Sequence, residues 1–347
     1  MSLETLGWSA HFRAQVADDE WSTTIPARVM RVRRGELVLQ GAEIEVSIPS
    51  SSVPMESDDE DARSTLGDWV LLDSQTHQPV RRLDRSSLLK RKAPGKARGV
   101  QLIASNVDVI FIVSSCNQDF NLARLERYLV LAAEAGAMPV VVLTKADLCD
   151  DIAPYVSEAA SLGPALMVEC IDARDPNSAN VLMPWCGPGQ TVALLGSSGT
   201  GKSTLANTLA GTDYQRTAEI RDDDSKGRHT TSERVLLPLA GAGWLADTPG
   251  MREIQLLDVA DGISAAFADV EALAEACKFR NCSHGNEPGC AVAAAVASGD
   301  LTARRVDSFR KLHAEESRNR ESLAQRRSRE RTFSKMVRDK VNGKRQG

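Results

Sequence analysis

Eight consecutive residues, Gly196-Ser197-Ser198-Gly199-Thr200-Gly201-Lys202-Ser203, constrain this chain more than any other stretch. They match G-x-x-x-x-G-K-[ST], between an apolar strand at 191–195 and a helix at 204–209. A strand that feeds a glycine-rich loop and then a helix belongs to an α/β layer built on a parallel sheet. The glycines let backbone N–H groups curl round phosphates without Cβ clashes, and the helix N-terminus adds a favourable dipole. Lys202 is expected to reach the β- and γ-phosphates, and the Ser203 hydroxyl to bind Mg²⁺. Thr204, opening the helix, completes the phosphate-side contacts. The motif predicts a nucleoside triphosphate site.

The base is read from Thr144-Lys145-Ala146-Asp147, which directly follows the apolar strand 140–143. These residues resemble the guanine motif [NT]-K-x-D. A carboxylate at Asp147 accepts from both the ring N–H and the exocyclic amine of guanine. Adenine offers no such donor pair and would leave a buried charge unpaired. Lys145 can lay its stem over the base, while Thr144 stands where Asn is commoner and supplies a weaker contact. Asp247-Thr248-Pro249-Gly250 matches D-x-x-G. Asp247 is expected to hold Mg²⁺ through water, and the Gly250 N–H to meet the γ-phosphate. Between these motifs, Lys226-Gly227-Arg228-His229-Thr230-Thr231 resembles a switch loop whose threonine completes the Mg²⁺ shell. Spacing does not separate Thr230 from Thr231. Met251 follows Gly250 where a water-orienting Gln is common, so slow intrinsic hydrolysis is expected. His229 is the nearest candidate for orienting the attacking water, the alternative being an ordinary polar loop residue.

The order of the motifs is itself informative. Ordinary GTPases place the phosphate loop first and the base motif near the end. Here the base motif precedes the phosphate loop, which precedes the switch threonines and Asp247. That is a circular permutation, tolerable because all these loops sit at one edge of a parallel sheet. It also leads the segment after Gly250 straight into the C-terminal region, which a γ-phosphate-dependent switch could move as a lever.

The flanks read differently. Residues 21–92 show short strands and no helical period, with Arg34-Gly35 as a hairpin turn and strict alternation over 43–48. A small barrel of the OB type fits, and such barrels often bind RNA. The acidic stretch 56–61, with five acids and no base, reads as a solvated loop. Residues 259–276 read as one helix. Cys277, Cys282, His284 and Cys290 then place four soft or borderline ligands within 14 positions. Thiolate and imidazole suit tetrahedral zinc, and four protein ligands leave no open position, so the metal is expected to be structural. Cys116, Cys149, Cys170 and Cys186 remain, read as scattered core thiols.

Charge separates the parts further. The chain carries −5 overall, which alone argues against nucleic acid. Residues 304–347 hold 15 Lys/Arg against 6 Asp/Glu, a net +9, and the rest hold 27 against 41, a net −14. The tail has the composition of a basic helix laid on phosphates. The chain's longest apolar runs, such as 107–113 and 139–143, are too short to span a bilayer, and the N-terminus shows no secretory pattern.

Taken together, the permuted motif order, the N-terminal barrel, residues 227–231 and the Cys/His cluster closely resemble the RsgA (YjeQ) family. Arg91-Lys92, residues 103–108 and Glu287-Pro288-Gly289-Cys290 add to the match, which covers roughly residues 23–311. The resemblance implies a multidomain chain: an N-terminal OB-type β-barrel, a central circularly permuted P-loop α/β GTPase domain and a C-terminal helical zinc-binding domain. The expected boundaries are an extension at 1–20, the barrel at 21–95, the GTPase domain at 96–255 and the zinc domain with its basic tail at 256–347. The resemblance further implies hydrolysis of GTP to GDP, stimulated by the small ribosomal subunit. A role in late maturation of that subunit, with rRNA contacts from the flanking domains, is implied too. A cytoplasmic monomer with no membrane partner is expected. The chain departs from the family at Thr144, and also where a Ser-Ala-type loop is expected near the base, here Val168-Glu169-Cys170. A small-molecule kinase or ATPase, and an RNA scaffold with a vestigial site, are the competing readings. Asp147 opposes the first, and intact Lys202, Ser203 and Asp247 oppose the second.

Overall fold

The computed structural model describes residues 1–55, 57, 60–92, 100–211, 233–248, 259–285 and 287–319. The chain divides into two compact units, Met1–Gln255 and Leu256–Gly347.

The first unit opens with five antiparallel strands. They are β1 (Thr24–Arg33), β2 (Glu36–Gln40), β3 (Glu45–Pro49), β4 (Trp69–Asp73) and β5 (Pro79–Arg82). Gly35, at φ +79°, makes the expected tight turn between β1 and β2. The pairing order is β3-β2-β1-β4-β5, with Leu37, Leu39 and all of residues 69–72 apolar and buried. Among the described residues β3 and β5 do not pair, so the barrel expected from the sequence is not closed by strand pairing. Residues 1–20, expected as an extension, bury Leu6, Trp8, Phe12 and Val16. The Trp8 ring meets Trp69 edge-on at 4.8 Å.

A separate hairpin, β6 (Leu88–Lys92) and β7 (Val100–Ser105), follows. It changes the reading of the acidic stretch. Asp61 pairs with Lys90 at 2.8 Å, and the Glu60 carboxylate accepts the Val100 N–H, so these two acids anchor the hairpin rather than face water alone.

Six more strands form the nucleotide-binding layer. These are β8 (Val109–Ser115), β9 (Met138–Thr144), β10 (Met167–Cys170), β11 (Thr191–Leu195), β12 (Arg234–Pro238) and β13 (Trp244–Asp247). Their order is β10-β9-β8-β11-β13-β12, all parallel except β12. Every residue of β8 and of β11 is buried, as strands covered on both faces require. The covering helices include α1 (Leu122–Ala135), α2 (Ala153–Ala160) and α3 (Lys202–Ala210). The α1 boundaries follow local chemistry. The Asn121 side chain accepts the Arg124 N–H at 3.0 Å, and Gly136 stops the helix at φ +73°.

The two strand groups share one eleven-stranded sheet, because Arg31 and Val32 of β1 pair with Val235 and Arg234 of β12. Two arginines, Arg28 buried and Arg234 half-buried, reinforce this seam. Arg28, fully enclosed, donates to the carbonyls of Leu6 (2.6 Å), Asn106 (3.1 Å) and Gly67 (3.3 Å) and to Thr191 Oγ1 (2.8 Å). Burial pulls its pKa down to about 10, with Asp108 and Asp68 opposing the shift. Arg234 donates to Leu102 O and to Thr65 Oγ1.

The second unit is helical: α4 (Ala260–Ala266), α5 (Ala268–Ala274), α6 (Ala291–Ser298) and α7 over residues 303–319. The single helix expected over 259–276 is broken at Phe267, whose backbone leaves the helical region at φ −120°, ψ 32°. Its fully buried ring lies 5.6 Å from Phe309 of α7. Arg305 stacks over the same ring at 4.3 Å and donates to Asp269 at 2.8 and 3.0 Å. The first part of the basic tail is therefore partly core, with Val306, Phe309 and Leu312 turned inward. Residues 320–347, including Leu323, lie outside the described residues.

Candidate functional site

The chain leaves β8 for β9 and β10, then returns through β11 to the other side of β8. That reversal makes the C-terminal ends of β8 and β11 the switch point of the sheet, where open α/β folds take ligands. The loop 196–201 leaves β11 at this point. Gly196 sits at φ +153°, and a Cβ there would lie 2.2 Å from the Val113 carbonyl. Only glycine lets the chain turn so close to β8. Gly201, at φ +86°, opens α3 without any capping side chain. The first N–H groups of α3 are thus left to face an anion. Lys202 folds its ammonium back onto the Ser197 carbonyl, and Thr200 Oγ1 donates to the same oxygen at 3.0 Å. Ser203 and Thr204 occupy the next positions of α3.

The base motif is tied into this loop. Thr144 ends β9 fully buried, and its hydroxyl lies 2.7 Å from Thr200 O and 3.1 Å from Ser114 O. Thr144 therefore joins the base loop to the phosphate loop instead of facing outward. Lys145 adopts a left-handed conformation (φ +60°), which turns the chain out of the strand, and Ala146 donates its N–H to Ile171 O at 3.3 Å. The Asp147 carboxylate accepts from Arg174 at 2.6 Å. Arg174 also holds Asp172, keeping that carboxyl below its ordinary range, chiefly through this hydrogen bond.

One expectation is corrected here. Val168, Glu169 and Cys170 are not the loop near the base. They lie in β10, in parallel register with Val141, Val142 and Leu143, and their backbone is committed to the sheet. The loop beside Asp147 begins at Ile171. Arg174 was not found from sequence, and neither was Arg124, which reaches from the first turn of α1 to Ser197 Oγ at 2.7 Å. An arginine beside a short capping signal carries no sign of a partner 73 positions away.

Asp247 ends β13, whose parallel register with β11 (Ala193 opposite Ala246) brings it to the same sheet edge as the phosphate loop. The next residue, Thr248, is buried, and its hydroxyl has no hydrogen-bond partner among the described residues. An orphaned buried hydroxyl beside a carboxylate, next to a glycine cradle, fits a hydrated cation and phosphate. Gly250 and Met251 lie outside the described residues, as does the switch loop with His229, Thr230 and Thr231.

The second unit carries the predicted metal cluster. One ligand atom from each of Cys277, Cys282, His284 and Cys290 lies within 4.8 Å of the others. Cys277 Sγ is 3.6 Å from His284 Nδ1 and 3.9 Å from Cys290 Sγ, and Cys290 Sγ is 3.7 Å from Nδ1. A zinc tetrahedron with bonds of about 2.3 Å has edges of about 3.8 Å, so this donor set fits the ion. Supporting contacts hold it open for a metal. The Glu287 carboxylate accepts the Ser283 hydroxyl and the N–H groups of Ser283 (2.9 Å) and Gly285 (2.8 Å), the hydroxyl foremost, which brings its pKa down to about 2. Cys290 Sγ accepts the Ala293 N–H at the start of α6. A cavity of roughly 650 Å³ adjoins the cluster, lined by His284, Arg310, Lys311 and His313, with Asp307 the acidic member.

Comparison with known proteins adds relatives at every level. The family model described as RsgA GTPase matches residues 82–257. A Vibrio parahaemolyticus protein named Small ribosomal subunit biogenesis GTPase RsgA 2 is 48% identical over 99% of this chain and 94% of its own. A Mesorhizobium japonicum protein named Small ribosomal subunit biogenesis GTPase RsgA is 48% identical over 92% of this chain and 91% of its own. Among solved structures, YloQ, titled a circularly permuted GTPase, superposes with a TM-score of 0.60 at 22% identity, over 84% of this chain and 94% of that one. YjeQ from Thermotoga maritima superposes equally, with a TM-score of 0.60 at 21% identity, over 84% and 98%. No described helix is long and apolar enough to cross a membrane.

Proposed function

This chain belongs to the RsgA family of GTPases, and on that footing we propose that it hydrolyses GTP to GDP and phosphate in late maturation of the small ribosomal subunit, stimulated by that subunit. The observation that carries the reading is the Thr144–Thr200 hydrogen bond. It ties a guanine-type motif directly to a phosphate-type loop, although 56 positions separate the two residues.

In this reading Asp147 takes the two guanine donors, and the Lys145 stem covers the base. The N–H groups of residues 196–203 take the phosphate oxygens, and Lys202 leaves Ser197 O for the β/γ-bridge. Ser203 and Asp247 would hold Mg²⁺, which supplies charge neutralisation at the phosphates. His229, with Thr230 or Thr231 and the Gly250 N–H, would order the γ-phosphate side. The chemistry is positioning and electrostatics, so a second macromolecule that orders the switch loop raises the rate without adding a nucleophile.

The partner is the small subunit through its rRNA. The five N-terminal strands have the number and order of an OB-type barrel, and the Cys/His cluster with its basic cavity offers cations to phosphate. Zinc is structural here, and the protein acts as a cytoplasmic monomer. Phosphate release with and without purified small subunits tests the reading. A sharp rise is expected, and equal rates would overturn it. ATP should fail to displace labelled GTP, and displacement by ATP would favour a kinase or ATPase.

A further inference from the structure

Two thiols flank the strand that carries the guanine motif. Cys116 follows β8 and Cys170 ends β10, on either side of the C-terminal end of β9, with their sulfurs 3.7 Å apart. Both positions are bonded to the motif through backbone. The Cys116 N–H donates to Thr144 O at 2.9 Å. Ile171, next to Cys170, donates to Leu143 O at 2.8 Å and accepts the Ala146 N–H at 3.3 Å. The base loop is thus suspended between the two cysteines.

The pair is also asymmetric. The two thiols share one S–H···S contact; that contact and burial push the Cys116 pKa up, and the same contact draws the Cys170 pKa down. The half-buried sulfur is therefore the better nucleophile, and the enclosed one is placed to resolve it.

We propose that Cys116 and Cys170 form a peroxide-oxidisable dithiol whose closure distorts residues 144–147 and weakens guanine nucleotide binding. This rests on the reading of those residues as the guanine subsite. In the first step the Cys170 thiolate attacks one peroxide oxygen, the O–O bond breaks, and the departing hydroxide takes a proton to leave as water. In the second, the Cys116 sulfur attacks the Cys170 sulfenic acid, the S–O bond breaks, and the Cys116 proton leaves with the oxygen as a second water. Two thiols lose two electrons, and one peroxide becomes two waters. The sulfurs start in van der Waals contact, so bonding pulls the ends of β8 and β10 together beneath the base loop. A dithiol reductant reverses the change.

The test uses the full-length, zinc-loaded protein, treated with a small molar excess of hydrogen peroxide. Peptide mass mapping locates the linkage, a fluorescent GDP analogue reads affinity, and a chromogenic chelator tracks zinc release. A Cys116–Cys170 linkage is expected, with affinity falling about tenfold or more and returning with dithiothreitol. Cys170→Ser and Cys116→Ser should keep their affinity through peroxide. Cys116→Ala with an unchanged melting temperature replaces the serine variant if that one fails to fold. No such linkage, a linkage with unchanged affinity, or equal loss in Cys170→Ser would each overturn the proposal. Absence of guanine preference in the reduced, untreated protein would instead overturn the nucleotide reading, and the linkage map does not depend on that result.

Discussion

Thr144 shows how one hydroxyl can join two motifs. Its sequence position announces a base contact, but in the fold the oxygen sits between Thr200 O and Ser114 O. Thr144→Val keeps the shape and removes the tie. The bond exists in the nucleotide-free protein, so its net of about 1 kcal/mol is lost from stability, about 2–4 °C in Tm by calorimetry, and the untied phosphate loop should bind GTP more weakly by nucleotide titration. Arg28 works at the opposite end of the sheet. Replacing it by Met leaves the carbonyls of Leu6, Asn106 and Gly67 and the Thr191 hydroxyl short of a buried donor. A loss of about 3 kcal/mol or more follows, about 6–12 °C in Tm, measurable by calorimetry on the full chain. No sequence pattern announces Arg28, Arg124 or Arg174. Their partners are 163, 73 and 27 positions away, and a long cation in a strand or helix looks the same whether it meets water or a carbonyl.

Elements were readable where local chemistry sets their ends. The helix α1 is of this kind, with the Asn121 side chain capping its start and Gly136 stopping it in a left-handed conformation. The strand β11 follows from an unbroken apolar run beside a glycine loop. Readings failed where a distant partner decides. Residues 259–276 carry a continuous helical pattern, and only the pocket beneath Phe309 requires the break at Phe267. The strand β12 is short and ends in Pro, and its reason to be extended is two neighbours, β1 and β13. At this scale Gly196→Ala is the decisive change at the phosphate loop. A methyl 2.2 Å from Val113 O forces the loop off β8, and GTP binding should fall by at least about tenfold while β-sheet circular dichroism persists. The Cys/His cluster, read as a zinc site, is likewise an element-scale device. Chelation, or Cys282→Ala, should release the ion and loosen the loop between α5 and α6, seen as new protease cuts there. Nucleotide affinity of the free protein should stay within about twofold, because the guanine and phosphate loops belong to Met1–Gln255. A parallel loss of GTP binding would show that the two units are energetically one.

At the scale of the whole molecule, the net −5 is a sum of unlike parts, a −14 body and a +9 tail. Counterion release from such a tail predicts that affinity for the small subunit falls steeply with salt, while GTP affinity in the free protein falls little. Binding isotherms across a salt series separate the two. The larger lesson lies in the eleven-stranded sheet, which runs from the N-terminal strands through β1 and β12 into the nucleotide layer. A fragment lacking residues 1–82 would bare the outer edge of β12 and the cavity left by Arg28. It should aggregate or melt well below the full chain, by light scattering and calorimetry. The same seam limits what could be inherited separately. A lineage that borrowed this nucleotide machinery by gene fusion would have to carry the first strands with it. Those strands are less a passenger recruited for RNA than part of the smallest unit that could be passed on intact.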